Sequence, residues 1–80
     1  MARTNQEITC EIVQHLCVLE ERNAGWNLEF NIVSWNGNPP KYDIRPWNSD
    51  HSRSGTGITL TEDTLKALVE YCDQAQLMAI

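Results

Sequence analysis

Eighty residues with a formal net charge of -5, 41% of them hydrophobic and three of them cysteine, make one small acidic domain. A chain this short buries only about 60% of the surface its unfolded form exposes, a thin margin that a partner subunit would widen. The odd cysteine number without paired spacings argues against a disulfide scaffold, and the acidic total argues against nucleic-acid binding, since phosphate attraction usually shows up as a basic domain.

The start, MARTNQEITCEI, has no long apolar region behind its arginine, and no later run is long enough to span a bilayer. No signal peptide and no membrane partner are expected, and the unpaired thiols point to a reducing cytoplasm. The expectation is a single domain over 1–80, loose in 1–6 and folded over 7–76. Charge is unevenly spread. Residues 1–21 carry one cation and four anions, 22–57 four and three, and 58–80 one and four. Both ends are thus at -3 and the middle at +1, where Arg22, Lys41, Arg45 and Arg53 gather.

In the stretch ITCEIVQHLCVLEER, two patterns compete. Ile8, Cys10, Ile12, Leu16 and Val18 share strand parity, whereas Ile8, Ile12, Leu16 and Leu19 fit a helical stripe. The β-branched Ile8, Thr9, Ile12, Val13 and Val18 favour one long, bent strand. Arg22-Asn23-Ala24-Gly25 reads as a turn with positive φ at Asn23 and Gly25.

From Trp26 to Trp47 the chain holds five of its six aromatic residues. Trp26, Leu28, Phe30 and Ile32 alternate with polar residues, as do Tyr42 and Ile44, the period of half-buried strands. Asn36 to Pro40 form the connecting loop, because Asn36-Gly37 favours positive φ and Pro39-Pro40 cannot donate to a ladder. Setting Trp35 opposite Lys41 pairs Ser34 with Tyr42, Ile32 with Ile44 and Phe30 with Pro46 as core rows. The other face then carries Trp35, Lys41, Asn31, Arg45, Glu29 and Trp47. Two indoles with cations between them suit unpaired bases and their phosphates. Periodicity alone favours the plainer reading, that the tryptophans are core or subunit-interface residues. Trp26, in parity with Leu28 and Phe30, is assigned to the core.

The segment NSDHSRSGTG is a loop by composition, GITL a short strand, and Thr61 an N-cap followed by Glu62 and Asp63, where the helix dipole favours negative charge. Leu65, Leu68, Val69 and Cys72 follow at helical spacing, giving a helix of about four turns that packs one stripe on the sheet. In the tail, Leu77, Met78 and Ile80 are apolar enough to cover a neighbour or a second subunit. The order is three long strands, a short one, then a helix.

KYDIRPW, a polar loop and GTGITLTEDTLKAL, with VSWNGNPPKYDIR upstream, closely resemble the C-terminal domain of the Positive Cofactor Four family of transcriptional coactivators, above all its bacterial YdbC-like branch. The resemblance covers roughly Ile8 to Cys72. It implies an α+β fold, a curved four-stranded antiparallel sheet followed by one C-terminal helix (ββββα), assembled as a homodimer. It also implies sequence-tolerant binding of single-stranded DNA and roles in transcription regulation or the handling of unwound DNA; whether RNA is bound as well stays open. The aromatic positions of the family match Trp35 and Trp47, and its basic positions Lys41 and Arg45. Asn31 shares their face, and Arg53 on the loop is either a further phosphate contact or, as is commoner for a loop arginine, simply solvated. Two features depart from the pattern: Thr56 stands between the glycines where the family has Lys or Arg, and the basic, serine-rich arm of the eukaryotic coactivator is absent.

No other chemistry is supported. Cys10, His15 and Cys17 lack zinc spacing, no histidine is placed against a thiol, and Gly55-Thr56-Gly57 lacks the third glycine of a dinucleotide loop. Asp43 orients Arg45. The expectation is a binding module and not an enzyme, without cofactor, metal or small-molecule substrate; the alternative is an acidic dimeric protein-interaction adaptor that meets its partner through the same aromatic face.

Overall fold

A computed structural model describes residues 9–77. The segment 1–6, Ile8, Met78 and Ile80, each assigned a place from the sequence, lie outside the described residues. The order is β1 (Cys10–Glu21), a 3-10 turn (Asn23–Gly25), β2 (Asn27–Trp35), β3 (Lys41–Trp47), β4 (Ile58–Leu60) and α1 (Glu62–Gln74). The strands form one antiparallel sheet in the order β1-β2-β3-β4, the expected ββββα arrangement.

β1 is the long strand that its β-branched residues favour, and three irregularities against β2 bend it, between Ile12 and Gln14, His15 and Cys17, and Val18 and Glu20. Each extra residue reverses the side-chain parity of the strand beyond it. The simple alternation of Ile8 through Val18 therefore does not survive along β1. The first bulge carries His15 opposite Asn31; without it Gln14 would stand there. β1 also curls over the sheet, so that Cys10 and Ile12 share a cavity with Trp47 and His51, two strands away.

The β2–β3 turn has Asn36 at φ 53 and Gly37 at φ 75, closed by the Asn38 amide donating to the Trp35 carbonyl at 2.9 Å. In the first turn the positive φ values fall on Ala24 and Gly25, not on Asn23. The β2–β3 register differs from expectation by two residues: Val33 faces Lys41, Ile32 faces Tyr42, and Phe30 faces Ile44. Trp35 and Ser34 instead find partners across β1, in Cys10 and Glu11. Because the offset is even, both faces keep their membership.

What each face does is the reverse of the expectation. Val33 and Trp47 are the buried hydrophobic residues among those described, and Glu29, Asn31 and Asp43 the buried polar ones. All five sit on the face assigned to open binding. The rows assigned to the core, Phe30, Ile32, Tyr42 and Ile44, are only half-buried. α1 begins as read, with Thr61 Oγ1 accepting from the Thr64 amide at 3.1 Å, yet it stands off the sheet. Leu65, Leu68, Val69 and Cys72 line an apolar groove of about 760 Å³ against Phe30, Ile44 and Leu19, and Leu68 and Val69 remain 48% and 59% exposed.

Candidate nucleic-acid interface

Two buried carboxylates organise the concave face. Burying an ionised carboxyl is costly unless donors surround it, and each has them. Asp43, fully buried, accepts from Arg45 Nε at 2.6 Å, from Trp35 Nε1 at 3.2 Å and from Thr59 Oγ1 at 3.1 Å. Those bonds fix the Arg45 guanidinium 4.6 Å from the centroid of the Trp35 ring, a cation lying on an indole. Asp43 thus orients Arg45, as its spacing suggested, and orients Trp35 as well. Gly57 makes this possible: a Cβ there would run into Arg45 Cβ and the Ile44 carbonyl oxygen.

Glu29, 3% exposed, faces Arg45 in the register, but that guanidinium is turned to Asp43, and among the described residues the ion-pair partners of Glu29 are the two histidines. Its Oε1 accepts from Asn31 Nδ2 at 3.1 Å, and the His51 Nε2 donates to both oxygens at 3.0 and 2.9 Å. His15 Nδ1 donates to Asn31 Oδ1 at 2.7 Å and lies 3.5 Å from Glu29 Oε1. Nearby, burial raises the Cys10 thiol above its usual range, the charge of Asp43 adds to the rise, and Arg45 offsets part of it.

The structure therefore divides the six expected site residues. Trp35 and Arg45 come together, Trp35 half-exposed and the Arg45 side chain 15% exposed, while Lys41, exposed at the start of β3, lines a pocket with Ile32, Tyr42, Thr61 and Glu62. Arg53 is exposed on the 48–57 loop. Asn31 is sealed within the sheet, its amide committed to His15 and Glu29. Trp47 is corrected most: expected as an open platform, it is 5% exposed, covered not by α1 but by the loop, with the His51 ring 5.7 Å away and tilted by 41°.

The chain matches the model of the family described as Transcriptional Coactivator p15 (PC4) over residues 22–71. It belongs to this family. It is also 38% identical over 73 residues, 91% of this chain and 86% of the relative, to an uncharacterised protein of Treponema pallidum (strain Nichols). The matched span takes in the hairpin, the loop and most of α1. This family is nucleic-acid-binding and non-enzymatic. Among the described residues, no three histidine, cysteine or acidic side chains are arranged to hold a metal, and no helix is long and apolar enough to cross a membrane.

Reading the sequence missed the pairing of His15 and His51 around Glu29. The three residues are far apart along the chain, and only a bulge in β1 and a loop that folds back bring them together. One signal was present: Glu29 has the parity of Asn31 and Arg45, so a sealed face would require donors for it.

Proposed function

We propose that this chain works as a homodimer that binds single-stranded DNA without sequence preference, and RNA by the same chemistry, in transcription regulation or the handling of unwound DNA, as the family relationship supports. The observation that carries this reading is the Arg45–Trp35 stack, with Lys41 exposed at the start of β3. One ring face is covered by the guanidinium and the other is available to a base, while Lys41 and, along the loop, Arg53 supply phosphate contacts. Arg45 is largely neutralised by Asp43, so its part is to brace the ring as much as to attract a phosphate.

The apolar groove supports the dimer. With Val33 and Trp47 alone among the described hydrophobic residues buried, and Leu19, Ile58, Leu68, Val69 and Tyr71 all exposed, a single subunit leaves its second face uncovered. A second copy laid across α1 and the Phe30–Ile44 rows would bury the stripe that α1 by itself leaves wet.

The test is a titration of labelled oligothymidine against its duplex by fluorescence anisotropy at several salt concentrations. The reading expects preference for the single strand and a log–log salt slope of about -1 to -2 per subunit, since two or three phosphates are neutralised at about 0.7 each. No binding at low salt would refute it. The net charge of -5, with Thr56 where the family has a basic residue, favours the protein-adaptor reading instead. An adaptor would show no change in tryptophan fluorescence with oligothymidine, whereas stacking quenches it.

A further inference from the structure

We infer that the 48–53 loop is a strap, held shut over Trp47 by the hydrogen bonds of His51 to the buried Glu29, and that a bound strand gains Trp47 only by displacing it. The inference rests on the single-strand reading for its ligand but not for its mechanics.

Three observations support it. The loop is tied mostly to itself. Asn48 N donates to the Arg53 carbonyl at 3.1 Å and His51 N to the Asn48 carbonyl at 3.0 Å. Asn48 Nδ2 donates to Ser52 Oγ at 2.9 Å, Arg53 N to Asn48 Oδ1 at 3.0 Å, and Ser52 N and Oγ to Asp50 Oδ1 at 3.0 and 2.6 Å. Between Asn48 and Arg53, the side-chain hydrogen bonds that reach the sheet are those of His51 to Glu29. The backbone bridge of Ser54 to Trp47 and the Gly55 amide donating to the Pro46 carbonyl at 2.9 Å close the base of the loop, so the segment between can lift about that base when the His51 link is broken.

Second, the closed state carries two costs that opening would relieve. His51 sits at φ 59, a left-handed conformation unfavourable for a residue with a Cβ. Among the described residues, the indole Nε1 of Trp47 is buried without an acceptor, the kind of orphaned donor that folded proteins seldom keep. Third, there is room beneath the strap. Cys10, Ile12, Trp47, His51 and Ser52 line a cavity of about 430 Å³, which a lifted strap would open onto the indole.

Two substitutions separate the hydrogen bond from mere shielding by the imidazole ring. His51→Phe keeps a ring over Trp47 but removes the donor; His51→Gln keeps a donor but removes the ring. Hydrogen exchange of the Trp47 indole N–H, followed by NMR, reads the strap without any ligand. Losing a hydrogen bond to a charged group should speed exchange by about tenfold or more in His51→Phe, with His51→Gln close to the parent. Affinity for oligothymidine should rise by a similar factor in His51→Phe, because a larger fraction of the protein is open.

Unchanged exchange in His51→Phe would overturn the strap, as would equal acceleration in both variants. Faster exchange with no tightening of a measurable affinity would overturn the claim that the strand displaces it. Faster exchange in His51→Phe, with neither it nor the parent binding oligothymidine, would uphold the strap and refute the single-strand reading.

Discussion

Replacing Trp35 tests the interface most directly, since the structure limits what the ring can contribute. Arg45 occupies one face at 4.6 Å, so one base at most can stack on the other. A single stack is worth about 1 to 3 kcal/mol, and Trp35→Ala should weaken oligothymidine binding by about five- to 150-fold. The same change removes the indole hydrogen bond to Asp43 and the contact with the guanidinium, a stability loss of about 2 to 4 kcal/mol. Trp35→Phe separates the two roles. It keeps a ring for stacking and loses the N–H, so affinity should stay within about threefold while most of the hydrogen-bond cost, about 1 to 2 kcal/mol, persists. Anisotropy at low salt reads affinity and urea titration reads stability. A folded Trp35→Ala protein with parental affinity would refute the stacking role, and a Trp35→Phe protein as weak as Trp35→Ala would show that the indole acts only through Asp43.

Other perturbations probe the frame around that ring. Gly57→Ala should pry β4 from β3 and displace Arg45, because the new Cβ meets the Ile44 carbonyl oxygen and the Arg45 side chain; a thermal midpoint within a degree or two of the parent would contradict this. Leu68→Asp, in the apolar groove, removes about 1.5 to 3 kcal/mol of burial per subunit and adds a desolvated charge. It should raise the dimer dissociation constant by about a hundredfold or more in sedimentation equilibrium, and an unaltered dimer would show that the groove is not the interface. Asp50 is held below its ordinary 3.8 first by the Ser52 hydroxyl and then by the Ser52 amide. Its contribution to loop order is therefore present above about pH 4 and lost as pH falls through its depressed value. Amide exchange at Ser52 should accelerate on that acid limb in the parent, and Asp50→Asn should abolish the acceleration. Cys10 is exposed on β1, while partial desolvation and the charge of Asp43 raise its thiol above the ordinary 9.0; it should label completely with iodoacetamide, at a rate still climbing above pH 9, and a rate already level at pH 8 would contradict the rise.

Much of this protein is written in local pattern. Period two in Asn27–Trp35 and Lys41–Trp47, the Asn36-Gly37 turn and the Thr61 cap with Glu62 and Asp63 each depend on neighbours close in the chain, and all appear where the sequence puts them. The even parity of the hairpin also holds, and with it the grouping of Trp35 and Arg45. Which face is sealed is not local information. Alternation sorts residues into two sets but does not say which set meets solvent, and hydrophobicity alone assigns the apolar set to the core. In the folded subunit the polar set is the one enclosed, because bulges in β1 curl it across the sheet and the 48–57 loop returns over Trp47. Donors from distant segments, His15, His51 and Thr59, then make burial of Glu29 and Asp43 tolerable. Only a tertiary structure can bring those partners together, since no spacing along the chain records a bulge or the place where a loop will fold back.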